Sequence, residues 1–132
     1  MSDWPRNALG LLAAGAINAL VAVAAGAFGA HGLQSRLDEK HLGIFETAAR
    51  YHMYHALAMV LCALAARGGL GGAVRSGWLM QAGVAIFAGT LNALAVTKVK
   101  ILGAITPIGG LLMMIGWVML AWAALRGGQP SG

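Results

Sequence analysis

The sequence predicts an all-α integral membrane protein: a four-transmembrane-helix bundle with an amphipathic interfacial helix between helices one and two. Two observations carry that prediction. The stretches 9–30, 51–66, 77–97 and 101–125 contain no charged residue, and a helix needs about 20 apolar residues to cross the hydrocarbon of a bilayer. Of the 132 residues, 59% are hydrophobic and 10% charged, where a soluble domain carries roughly 25% charge. Four crossings use most of the chain and leave one membrane domain, 1–132.

Residues 1–7 are a short polar tail in which Trp4 suits an interfacial anchor and Pro5 a helix start. The first span covers 8–30. It is too long for an ordinary signal-peptide core and is read as retained. Residues 35–50 are the amphipathic segment. Ser35 and Asp38 resemble a capping box, and Leu37, His41, Ile44, Phe45 and Ala48 recur on one helical face. This segment reads either as a helix lying at the interface or packed on the bundle, or equally as a rigid N-terminal extension of the second span. The second span covers 51–66 and ends in the turn-rich 68–72. The third covers 77–97. The three-residue Lys98–Val99–Lys100 link makes it an antiparallel neighbour of the fourth, 101–125, and residues 126–132 form a tail expected to be disordered.

Composition excludes several function classes. A net charge of +5 is spread over every loop and both tails, with no basic stripe and no interleaved aromatics, so nucleic acid is not a partner. Membrane lipids are, because basic residues beside spans meet anionic head groups. The single Cys62 allows no intramolecular disulfide and no thiol-rich metal site. No nucleophile elbow, phosphate-cradling loop or dinucleotide glycine pattern occurs, so no enzyme and no cofactor are expected. An even number of spans places both termini on one side, with Arg6, Arg67, Arg75 and Arg126. Arg36, Lys40, Arg50, Lys98 and Lys100 fall on the other. The basic count is nearly balanced, and the cytoplasm is taken as the side of the termini.

Small residues at every fourth position predict helix contacts along Ala14, Asn18, Ala22, Gly26 and Ala30, and along Gln81, Ala85, Gly89, Ala93 and Thr97. Each stripe carries one amide, and a hydrogen bond between Asn18 and Gln81 is expected. The topology also places His31, His52, His55, Thr90, Asn92, Thr106 and Pro107 near helix ends on one face of the membrane. Polar groups at such depth face a bundle interior or a watery cavity. Three readings of this cluster stand side by side: mutual hydrogen bonding that knits the helix ends, a solvated site for a solute, head group or proton, and a metal site. The third lacks the HExxH pattern and a ready carboxylate, so no metal is expected. Pro107 either kinks the fourth helix or marks its start after an extended entry. The function expected is non-enzymatic binding of a lipid, a small solute or a partner subunit, with a homo-oligomer compatible. The alternative is a small transporter or proton conductor that uses His31, His55, Asn92 and Thr106.

The motifs Gly26-Ala27-Phe28-Gly29-Ala30-His31-Gly32-Leu33, Phe45-Glu46-Thr47-Ala48, Tyr51-His52-Met53-Tyr54-His55-Ala56-Leu57-Ala58, Ile105-Thr106-Pro107-Ile108-Gly109-Gly110 and Gly116-Trp117, in this order, resemble the bacterial YgdD-type membrane proteins. These form domain of unknown function family 423, with a distant eukaryotic relative called transmembrane protein 256. The resemblance covers roughly residues 8 to 125. It implies a small four-helix protein of the bacterial inner membrane, with His31, His55, Thr106 and Pro107 as motif positions of unassigned role. It also leads one to expect Gln in place of His52 and a Tyr-like residue in place of Asn92.

Overall fold

The computed structural model describes residues 4–127, so 1–3 and 128–132 of the two predicted tails lie outside the described residues. The chain forms four α-helices: α1 (Ala8–His31), α2 (Glu39–Arg67), α3 (Ala73–Thr97) and α4 (Ile101–Leu125). Their limits follow from backbone chemistry. The α2 start is fixed by Asp38, whose carboxylate accepts the His41 N–H at 3.0 Å, so Asp38 and not Ser35 is the cap. Gly69 and Gly72 turn the chain from α2 into α3 with φ of 103° and 90°, a region glycine enters without steric cost. Lys98 takes φ 61° to close the turn into α4.

Of the two readings of the amphipathic segment, the structure shows the rigid N-terminal extension of the second helix and not the separate helix. No separate helix spans 35–50. From Glu39 onward the segment is the first half of α2, which runs unbroken for 29 residues. The reason is continuity of the buried face. Phe45, Ala48, Ala49, His52, Ala56, Met59 and Ala63 are all buried, so the stripe that begins the helix also carries it through the second apolar run. Pro107 likewise lies inside α4, which starts at Ile101 with no extended entry. Its ring is exposed, and its missing N–H leaves the Gly103 carbonyl without a helical donor.

Three helices, α1, α3 and α4, are long and apolar enough to cross a membrane. The packing is an open array. α1 packs on α2, α2 on α3 and α3 on α4, with a lighter α1·α3 contact. The end helices accordingly bury narrow stripes. α1 buries Ala8, Leu11, Gly15, Ala22 and Gly29, and α4 buries Thr106, Gly109, Met113, Gly116 and Ala123. α2 lies between two neighbours and buries eleven residues.

The predicted four-residue stripes are not the main contact faces. A Cβ added at Gly26 or Gly89 would meet nothing within 4 Å, and Ala30 and Ala85 are exposed. Each four-residue step turns about 40° around a helix, so five positions drift by about 160° and leave the interface. A seven-residue step drifts only about 20°, and the buried series 8, 15, 22, 29 follows that step. The closest approach is between α3 and α4. A Cβ on Gly109 would lie 2.5 Å from both the Gly83 carbonyl oxygen and the Phe87 nitrogen.

Candidate functional site

The polar side chains predicted to share one level divide into three separate layers. The middle layer joins three helices. Asn18 of α1 donates from Nδ2 to Gln81 Oε1 of α3 at 2.7 Å and to its own-turn Ala14 carbonyl at 2.8 Å. Its Oδ1 accepts from His52 Nε2 of α2 at 2.8 Å. An amide oxygen only accepts, so the proton sits on Nε2 and His52 Nδ1 is left bare. That nitrogen is buried without a partner among the described residues. His52 thus points toward α1, away from His55.

The second layer is built on His55. Its Nδ1 donates to the Tyr51 carbonyl at 2.8 Å, and its Nε2 accepts from the Trp117 indole N–H at 3.0 Å. Both ring nitrogens are occupied, and the partners fix the tautomer. The third layer is Thr90 and Thr106, whose hydroxyl oxygens lie 2.6 Å apart between α3 and α4. Thr90 is also 2.7 Å from the Ile86 carbonyl, and Thr106 3.0 Å from the Leu102 carbonyl. Two hydroxyls own two protons, so one hydroxyl bonds its own helix and the other bonds across.

Three predicted residues stand apart. His31 is exposed in the last turn of α1, where a cation suits the helix dipole. Pro107 is exposed, and Asn92 is half-buried with its Oδ1 unpartnered among the described residues. Among the described residues no three histidine, cysteine or acidic side chains converge to hold a metal ion. Trp117 was missing from the sequence-based set. A tryptophan N–H in an apolar helix needs an acceptor, and His55 is one of few such acceptors in the spans.

The structure adds a feature at the opposite end, beside the termini. A cleft of about 500 Å³ opens between the N-terminal segment and the α2–α3 turn, lined by Arg6, Asn7, Ala66, Gly72, Val74 and Arg75 among others. It lies at the start of α3, whose first turn has neither a side-chain cap nor an acidic residue. The uncapped N–H groups give that helix end a positive field. Beside the cleft, the Arg67 guanidinium stacks 5.0 Å from the centre of the Trp4 ring. Trp4 packs on the helix ends, and its indole N–H is buried without a partner among the described residues.

The relatives of the chain are themselves membrane proteins by name. It is 49% identical over 114 residues to the UPF0382 membrane protein YwdK of Bacillus subtilis, covering 85% of this chain and 93% of that one. A UPF0382 membrane protein of Staphylococcus epidermidis is 47% identical over 112 residues, with 85% and 92% covered. One from Staphylococcus aureus is 45% identical over the same length and with the same coverage. No solved structure matches the chain. The family model described as protein of unknown function (DUF423) matches residues 25–110, and with these relatives it establishes that the chain belongs to the DUF423 family of helical membrane proteins.

Proposed function

We propose that the protein is a non-enzymatic, four-span protein of the bacterial inner membrane that binds the phosphate-bearing head group of an anionic lipid in the terminus-side cleft. The single observation carrying this reading is the cleft itself, where Arg6 and Arg75 flank the uncapped start of α3. Its volume falls in the range of small-ligand sites. Arginine recognises phosphate oxygens in a planar fork, and a helix N-terminus favours an anion. The apolar Ala66, Leu70 and Val74 on the same walls suit the glycerol and upper acyl region. Termini in the cytoplasm then set the cleft against the anionic leaflet. Binding is favoured over conduction because the hydrogen-bonded polar groups fall in separate layers and form no continuous chain among the described residues.

The test is native mass spectrometry of the detergent-released protein with phosphatidylglycerol, phosphatidylcholine or inorganic phosphate. Wild type is expected to retain phosphatidylglycerol. Arg6→Gln and Arg75→Gln are each expected to weaken retention about fivefold, in line with roughly 1 kcal/mol per basic residue near an anionic surface. Equal retention of phosphatidylcholine, or unchanged retention in the double variant, refutes the reading. Retention of inorganic phosphate alone would assign the cleft to a free anion instead.

A further inference from the structure

The start of α3 borders two clefts. Gly72 and Arg75 line the cleft of about 500 Å³ already described, and they also line a second one of about 220 Å³. The remaining walls of the second are Met119, Trp122 and Arg126, from the end of α4. The two clefts therefore share one wall. Gly72 stands in that wall without a side chain, at a φ of 90° that L side chains rarely adopt. A Cβ there would lie 3.6 Å from the Ala123 Cβ and 3.8 Å from Arg126 Nη2. The Arg126 guanidinium is thus held close to the shared wall.

The arginines follow the same division. Arg6 lines the first cleft, Arg126 the second, and Arg75 both. They come from three distant segments of the chain, and all three are exposed. Arg67 lies beside them on the Trp4 ring. The only acidic residue outside 38–46 is Asp3, so arginines outnumber acids at this end. A single phosphate diester brings one negative charge, which leaves this excess largely unmatched.

Both clefts combine arginine with apolar walls. Ala66, Leu70 and Val74 supply them in the first, and Met119 and Trp122 in the second. Trp122 is 61% exposed in the last turn of α4, where an indole suits the head-group level. Each cleft alone suits one phosphate with the upper part of its acyl chains. A lipid with two phosphates on one glycerol bridge fits both at once, its bridge passing over Gly72. Arg75 then reaches both phosphates, and Arg6 and Arg126 one each. Basic pockets between spanning helices bind head groups of this kind.

We infer that the ligand is a diphosphatidylglycerol lipid, cardiolipin, with one phosphate in each of the two clefts that meet at Gly72. The inference rests on the anionic-lipid reading of the first cleft and adds the second cleft and Arg126 to it.

The test is native mass spectrometry of the full-length protein in detergent with equimolar cardiolipin, phosphatidylglycerol, phosphatidylcholine or pyrophosphate. Wild type is expected to retain cardiolipin at least about fivefold better than phosphatidylglycerol, the gain of one further basic contact. Arg126→Gln is expected to abolish that preference. Lys100→Gln removes the same charge at the opposite end of α4 and is expected to keep it. This control separates a built site from the general attraction of a doubly charged lipid. Arg126 is exposed beyond α4, and an unchanged unfolding midpoint verifies that its variant is folded. Three results overturn the inference alone, with phosphatidylglycerol still retained over phosphatidylcholine. These are no cardiolipin preference, an unchanged preference in Arg126→Gln, and an equal loss in Lys100→Gln. A wild type that retains neither anionic lipid over phosphatidylcholine overturns the reading of the first cleft as well. Retention of pyrophosphate without cardiolipin overturns the lipid and assigns the paired clefts to a soluble diphosphate.

Discussion

Asn18 ties α1, α2 and α3 together with a single amide, donating to Gln81 and accepting from His52. Asn18→Leu leaves the His52 Nε2–H and Gln81 Oε1 without partners in the interior. Interhelical hydrogen bonds in membranes average about 0.6 kcal/mol and reach about 1.7. Two are lost here, so a stability loss of about 1–2 kcal/mol is expected, measured by unfolding in mixed detergent. Because Gln81→Leu removes one of the same bonds, the double variant should lose less than the sum of the singles. Full additivity, or an unchanged Asn18→Leu, contradicts the network. Asp38 gives a second residue-scale prediction. The His41 backbone N–H, and then the His41 side chain at 2.5 Å, hold its carboxyl below the usual carboxylate range. A depressed value means that folding favours the carboxylate, so this stabilisation is present above the ordinary range and is lost as pH falls through it. The unfolding midpoint of wild type should therefore drop between about pH 7 and about pH 3 more than that of Asp38→Asn. Parallel pH profiles would remove Asp38 as a source of acid sensitivity.

At the scale of the helix, the α3·α4 contact depends on the absence of side chains. A Cβ at Gly109 would press on backbone atoms of Gly83 and Phe87, which cannot rotate away. Gly109→Ala is expected to force the helices apart and cost about 1–3 kcal/mol. Gly89→Ala, where an added Cβ meets nothing, should be neutral or gain about 0.5–1 kcal/mol from helix propensity. Thermal unfolding of the pair in one detergent checks both, and equal effects would show that α3 and α4 do not meet backbone to backbone. This contrast also marks what the sequence can reveal. Hydropathy finds the helices because each apolar run must satisfy its own backbone in lipid. The fusion of 39–50 with the second run was legible only as one of two readings, since a charged flank on a helix looks the same at an interface and inside a bundle. Which glycines touch was hidden by the choice of period, four residues against seven. The Asn18–Gln81 pair was legible because two amides in apolar helices have few other partners. Trp117 and the arginine-lined cleft depend on distances between distant elements, which no local pattern encodes.

At the scale of the whole molecule, α2 decides the topology. Three helices satisfy length and hydropathy for a crossing, and α2 has only a 16-residue uncharged run, 51–66. Yet it is packed along its full length. At one end Ala66 sits with Ala8 and Ala73, and at the other Phe45 sits with Leu33 and Ala95. On the proposed four-span reading, α2, bracketed at both ends by its neighbours, crosses with them. The 38-to-50 region then stays in the bundle because Phe45, Ala48 and Ala49 are buried there. Four crossings place residues 7 and 71 on one side and residues 34 and 99 on the other. Three crossings would split these pairs. In a Cys62→Ser background, Asn7→Cys and Gly71→Cys should share one reactivity toward an impermeable maleimide in intact cells. Gln34→Cys and Val99→Cys should share the opposite one. With cytoplasmic termini, the second pair is labelled from outside and the first only after lysis. If Asn7→Cys and Gly71→Cys react from opposite sides, α2 does not cross and the four-span reading fails.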